Sequence, residues 1–340
     1  MTAPSRILVR LPNWLGDLLL ARPLLQRLRA GLPAARIAAV APGALLELLE
    51  ADGAIDLALP WPLDRTARAA ALREVRGWSA EVALVLPPSF SSAWLAWRSG
   101  AARRVGYSHE GRNALLTRAL KRPPRGDRHL ADEYLELARD LPGAAAVATA
   151  SATPKPLQLP LAALDAGRGL RARLGLDGKP FAVIGPGAIY GPAKRWPAAR
   201  FAGLARRLQH AGTAVVVCGT QAEVEICGQV AVDSGGRSIA GATSLPELAG
   251  LCAAATIAVC NDSGLAHLCA ALATPTVAVF GSTSSAWTAP RGEAVRVVQR
   301  PPVCSPCFRP DCRIGTICLT ALSEQRVWQA CEELLAERVA

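Results

Sequence analysis

Short apolar runs recur along this chain, each followed by a stretch of helical periodicity, and the whole pattern occurs twice. Ile7–Val9 precedes a helical pattern through about Ala30, Ile37–Ala41 an amphipathic run around Leu45–Glu50, and Val82–Leu86 a helix-like stretch through Trp97. Apolar runs without polar alternation are strands covered on both faces, and roughly 10–15-residue helical connections between them require parallel pairing. The pattern stops between Leu141 and Pro160. There, PGAAAVATASATPKPLQLP holds four prolines and no periodicity, which reads as a linker or as a long loop inside one domain. It then restarts with strands at Phe181–Ile184, Ala214–Cys218, Ile257–Cys260 and Thr276–Phe280, and with a helix over Pro197–Ala211 opened by proline. Ser323–Val339 is amphipathic, with Ser323 as its cap. The expectation is an α/β chain of two Rossmann-like parallel-sheet domains, 1–150 and 151–320, and a helix in 321–340 that packs back on the first domain.

A length of 340 residues suits two such domains, and 51% hydrophobic against 19% charged residues excludes a disordered chain. No window approaches ~18 uninterrupted apolar residues, and MTAPSRILVR lacks the features of an export signal, so the expected location is cytoplasmic. The net charge of +11, carried mostly by arginine, favours polyanionic partners or reflects an Arg-rich solvated surface. Ten cysteines in a cytosolic chain are not a disulfide framework. Five of them, Cys218, Cys227, Cys252, Cys260 and Cys269, lie in apolar segments and read as small core residues.

Three segments carry candidate chemistry. After the strand Ile257–Cys260, Asn261-Asp-Ser-Gly-Leu-Ala-His267 places a glycine-bearing turn at a helix start, either an anion site or a plain cap. After Phe181–Ile184, GPGAIYGPAKRWP ends in Lys194 and Arg195; such a loop suits a diphosphate, although it is neither a Walker A loop nor GxGxxG. At the start, LPNWLGDLLLARPLL sets Asp17 beside a lone glycine, either as a first-turn acid opposing the helix dipole or as a functional carboxylate. Cover from Trp14 and Leu15 would raise its pKa.

Other features are more ambiguous. Arg103 to Arg125 is the densest basic region, but its aromatics are too sparse to support nucleic-acid binding. Cys304, Cys307, Cys312 and Cys318 (C-x2-C-x4-C-x5-C) match neither paired zinc knuckles nor ferredoxins, so free thiols are favoured over a metal site. His267 reads as a packed histidine rather than a base.

Taken together, ILVRLPNWLGDLLLARPLL, PGAIYGPAKRWP and NDSGLAHLCAALATPTVAVFGSTSSAWTAP resemble the ADP-heptose:lipopolysaccharide heptosyltransferases of glycosyltransferase family 9. VLPPSFSSAWLAWRSGAARRVGY and LSEQRV extend the resemblance over nearly the whole chain. It implies a GT-B enzyme, two Rossmann-like domains facing a cleft, that inverts the anomeric centre with no cofactor and no essential metal. The W-x-G-D motif and GPAKRWP favour the type that adds L-glycero-D-manno-heptose to the first heptose of the inner core over types I and III. An oxidoreductase or a zinc-dependent nucleic-acid module is the alternative from another class. The resemblance makes Asp17 the general base and assigns Lys194 and Gly187 to the donor diphosphate. It also gives Asp262 to the heptose hydroxyls and Ser263, Gly264, Leu265, Ala266 and His267 to a phosphate-holding turn. Glu223 or Glu225 would meet the adenosine ribose, and Asn13, Arg98, Arg103 and Arg104 the acceptor. The implied partners are ADP-heptose, heptosyl-Kdo2-lipid A and, peripherally, the inner face of the cytoplasmic membrane; nucleic acid is not among them.

Overall fold

A computed structural model describes residues 3–62, 64–141 and 154–337. Two compact units emerge, the first reaching Pro154 and taking Gln158–Pro160, the second taking Lys155–Leu157 and the chain from Leu161 onward. The boundary expected between 150 and 151 lies outside the described residues.

Each unit is an all-parallel six-stranded sheet. The first contains β1 (Arg6–Arg10), β2 (Arg36–Ala41), β3 (Leu57–Pro60), β4 (Val82–Val85), β5 (Arg103–Tyr107) and β6 (Arg118–Leu120), in the order β3-β2-β1-β4-β5-β6. The second contains β7 (Phe181–Gly185), β8 (Ala214–Val217), β9 (Arg237–Ser238), β10 (Ile257–Asn261), β11 (Thr276–Phe280) and β12 (Val295–Gln299), in the order β12-β11-β10-β7-β8-β9. In each sheet the strand order reverses between the first and fourth strands, β1 and β4 or β7 and β10. Open α/β sheets bind ligands at the carboxyl ends of the strands flanking such a reversal. The topology therefore brings the loop after β7 beside the turn after β10, with Gly185 paired to Cys260.

The expected strands are present because they are buried on both faces: Ile7, Leu8 and Val9, like Phe181 to Ile184, are fully inaccessible. Helices Arg68–Gly77 and Phe90–Arg98 cover one face of the first sheet through Val75, Ala93, Leu95 and Ala96. The helix Leu15–Gly31 also buries Arg22, whose guanidinium pairs with Asp52 at 2.5 Å with both side chains almost inaccessible. Around Leu45 the helix is only Gly43–Glu47.

The last helix, Glu324–Glu337, buries Val327, Ala330, Cys331 and Leu334 in the core of the second unit with Trp196, Phe201 and Val279. Ser323 Oγ accepts the Arg326 amide at 3.3 Å, as expected of a cap.

Helices Leu161–Arg173 and Leu245–Ala253 meet through bare backbone. A Cβ on Gly167 would overlap the Gly250 backbone, and one on Gly250 would strike Ala163 O. Gly250→Ala should therefore cost about 1–3 kcal/mol and lower Tm by several degrees. Gly169→Ala, exposed on the same helix as Gly167 and 3.8 Å from only the Arg173 guanidinium, should be neutral or gain up to about 1 kcal/mol. Thermal unfolding of the two variants checks the opposite signs.

Candidate active site

The loop after β7 begins at Gly185 and ends in a 3-10 turn, Pro192–Lys194, before the helix Ala198–His210. Its prolines supply no backbone donors, so it depends on partners from elsewhere. Asn261, fully buried at the end of β10, provides two. Its Oδ1 accepts the Trp196 amide at 2.9 Å, and its Nδ2 donates to Pro186 O at 2.7 Å. Both ends of the loop are thereby tied to one side chain. The cysteine-bearing loop braces the rest: Pro310 O accepts the Ala193 amide at 2.9 Å, and Phe308 O accepts the Tyr190 hydroxyl.

These anchors leave Lys194 facing Asp262. The ammonium lies 2.5 Å from Asp262 Oδ2 and over the Tyr190 ring at 5.5 Å, and the Thr283 hydroxyl donates to the same carboxylate oxygen at 2.5 Å. The ion pair is well buried, and removing either partner would leave an uncompensated charge. Next in the chain is the helix Gly264–Ala271. Its N-cap, Ser263, makes no side-chain capping bond, and its first turn holds no acid. The amides of Gly264, Leu265 and Ala266 and the positive end of the helix dipole thus form an anion-binding surface beside Lys194. Leu265 packs where a Cβ on Gly185 would sit, and His267 is buried within the helix, as expected.

Gly187 is required for close approach, because a Cβ there would collide with the Glu223 carboxyl group. Glu223 is buried at the carboxyl edge, where its Oε2 accepts the Thr220 amide at 2.8 Å. Glu225 is exposed on the following helix. The fold therefore gathers Gly187, Lys194, Glu223, Asp262 and the Ser263–His267 turn at one sheet edge.

In the first unit, Asp17 lies half-buried in the first turn of the helix Leu15–Gly31. Trp14 is 63% exposed, so the apolar cover expected over Asp17 does not come from it. On the helix Leu130–Glu136, burial and then the Asp17 charge push the Tyr134 phenol well above its ordinary range. Asn13 is exposed, and its Oδ1 accepts from Arg10 at 2.7 Å. Arg10 itself is buried at the end of β1, donates to Val40 O at 3.1 Å, and is lowered to about 10 by burial and by Arg68. Sequence reasoning passed over this cation, although an arginine closing an apolar run was a visible signal.

The other predicted acceptor arginines are dispersed. Arg103 and Arg104 open β5 at the amino edge of the sheet, away from Asp17, where Asp140 O and Leu115 O accept from their guanidinium groups. A β-strand there explains the correction: the basic cluster is the start of a strand, not a patch at the ligand edge. Arg98 is exposed at the end of its helix over Trp94. All ten cysteines are thiols. Among the described residues, no group of three or more His, Cys, Asp or Glu is placed to hold a metal ion.

The profile of "Glycosyltransferase family 9 (heptosyltransferase)" matches residues 68–318. A lipopolysaccharide heptosyltransferase 2 from Escherichia coli is 32% identical over 308 residues, covering 86% of this chain and 88% of that protein. The Salmonella typhimurium protein of the same name is 33% identical over 310 residues, with the same coverage. The structure of E. coli ADP-heptose lps heptosyltransferase II superposes with a TM-score of 0.83 at 29% identity, covering 98% of this chain and 100% of that one. The fold class is accordingly GT-B.

Asn261→Leu removes both bonds that tie down the loop while keeping similar bulk. It should cost about 1–3 kcal/mol, since Pro186 O and the Trp196 amide would be left buried without partners. Hydrogen exchange should rise in 187–196 and not in the first unit; unchanged exchange over 187–196 would refute the anchoring role.

Proposed function

The chain belongs to glycosyltransferase family 9, the heptosyltransferases, and from that premise we propose that it moves L-glycero-D-manno-heptose from ADP-heptose to the first heptose of the lipopolysaccharide inner core. It is a glycosyltransferase, and the oxidoreductase alternative has no support. The observation that carries the reading is the buried Lys194–Asp262 pair beside an uncapped helix start. A cation and free amides match a departing diphosphate, while the adjoining carboxylate can accept hydrogen bonds from sugar hydroxyls.

In this mechanism the second unit holds the donor. The Gly264–Ala266 amides and Lys194 take the phosphates, Asp262 orients the heptose, and Glu223 receives the ribose hydroxyls beside Gly187. As the anomeric carbon–oxygen bond breaks, negative charge grows on the diphosphate, where Lys194 and the helix dipole stabilise it. Asp17 accepts the proton of the acceptor hydroxyl as that oxygen attacks, and the configuration inverts. Asn13 and its partner Arg10 stand near the start of the same helix and suit the anionic acceptor, heptosyl-Kdo2-lipid A. Such an acceptor would place the enzyme peripherally at the inner face of the cytoplasmic membrane. Among the described residues, no helix is long and apolar enough to cross a membrane.

Purified protein should release ADP from ADP-heptose only when the acceptor carries its first heptose; release with the heptose-free acceptor would indicate type I instead. Asp17→Asn should lower kcat by about 10²–10⁴-fold while ADP affinity is retained, as measured by calorimetry. Lys194→Ala should instead weaken ADP binding by about tenfold or more, through the lost charge-assisted contact. Loss of ADP binding in Asp17→Asn would count against its role as base.

A further inference from the structure

The helix Phe90–Arg98 has its chemistry reversed. At about 100° per residue, Ser92, Ala93, Leu95 and Ala96 lie on the side that covers the first sheet. The opposite side carries Phe90, Trp94 and Trp97, at i, i+4 and i+7, with Arg98 next to them. Phe90 is 48% and Trp97 49% exposed, and the Arg98 guanidinium lies over the half-buried Trp94 ring at 5.2 Å. An ordinary surface helix turns polar residues outward. Here Leu95 and three small residues meet the sheet and large aromatic rings meet solvent, the mark of an interaction surface.

Charge and position indicate what covers it. The neighbouring helix Arg68–Gly77 packs in the same layer and exposes Arg73 and Arg76, and Arg65 is exposed just before it. Tryptophan and phenylalanine bordered by arginine match the headgroup level of a bilayer, where rings enter the interface and cations meet anionic lipid. The helix also starts directly after β4, beside β1 at the strand reversal that carries Asp17, so its aromatic face begins at the acceptor's edge of the sheet.

We propose that the outward face of Phe90–Arg98, flanked by Arg65, Arg73 and Arg76, docks the first unit on an anionic phospholipid surface. This rests on the proposed function only in that a lipid-anchored acceptor supplies the reason for docking. Flotation with vesicles tests it without any sugar nucleotide. The wild-type protein should float with phosphatidylglycerol-containing vesicles, less so at high salt, and not with phosphatidylcholine alone. Phe90→Ser/Trp97→Ser should cut the bound fraction on anionic vesicles about tenfold or more. Arg73→Glu/Arg76→Glu should cut it by a similar factor. Both pairs are exposed, so thermal unfolding and transfer to a deacylated, water-soluble acceptor should be retained.

Three results would overturn the assignment. They are a wild type that ignores anionic vesicles, an aromatic double variant that floats like wild type, or a wild-type dimer that the same variant turns into a monomer. Transfer to the soluble acceptor without flotation removes only the docking. Flotation without transfer removes only the proposed reaction.

Discussion

The second unit's site depends on one buried amide. A loop with prolines at 186, 192 and 197 has few donors of its own, and it leaves a strand at a point where water is excluded. Unsatisfied backbone groups there would cost about 1–3 kcal/mol each. Asn261 answers both ends at once because a carboxamide carries a donor and an acceptor on one planar group. Aspartate is nearly isosteric but has no donor for Pro186 O, and leucine has neither group. What the loop presents, Gly187 against Glu223 and Lys194 against Asp262, depends on Asn261 at its ends and on the Pro310 and Phe308 carbonyls between them.

The Lys194–Asp262 pair sets a constraint on any anion that enters. With the carboxylate 2.5 Å away, the ammonium is already neutralised, and an incoming diphosphate also meets the Asp262 charge. Lys194 alone therefore does not make the site attractive to an anion. The uncapped helix start tips the balance, since its amides and dipole carry no compensating acid. Thr283 contributes by donating to Asp262 Oδ2, which holds the carboxylate in place and reduces its hold on Lys194. The Thr283 segment is in turn fixed by the cysteine-bearing loop, whose Cys307 and Phe308 amides donate to Ser282 O at 3.0 and 2.8 Å. That loop serves the site through its backbone, whatever its thiols do.

Most of the central architecture was legible in the sequence, because strands buried on both faces leave uninterrupted apolar runs. The edge strands were not. β3 and β9 are only four and two residues long, while β12 at its edge, and β5 one strand in from β6, mix arginine with valine, as strands half open to water do. This is why Arg103 and Arg104 read as a ligand patch, when burial of their strand commits their guanidinium groups to nearby carbonyls. The glycine loop and the NDSG turn were each visible as motifs. Their meeting depends on β7 pairing with β10 across some 75 residues, a relation no local pattern encodes. Thr283 was missed for the same reason, since it acts through Asp262, 21 residues away.

The two units share a topology and differ in the loop that leaves the first strand of each. After β7, glycine at 185 and 187 lets the backbone approach Leu265 and Glu223 closely, which leaves room at the edge for an anion against main-chain amides. After β1 there is only Gly16. Asn13, Trp14 and Asp17 instead project polar and aromatic side chains, and Arg10 beneath them supplies a buried cation. A backbone cradle recognises phosphate by geometry common to all nucleotides, whereas a side-chain surface can be particular about sugars and carboxylates. An acid set among phosphate-binding amides would be held in its charged form and be a poor proton acceptor. Asp17 belongs to the side-chain surface of the first unit, where its charge helps push the buried Tyr134 phenol up.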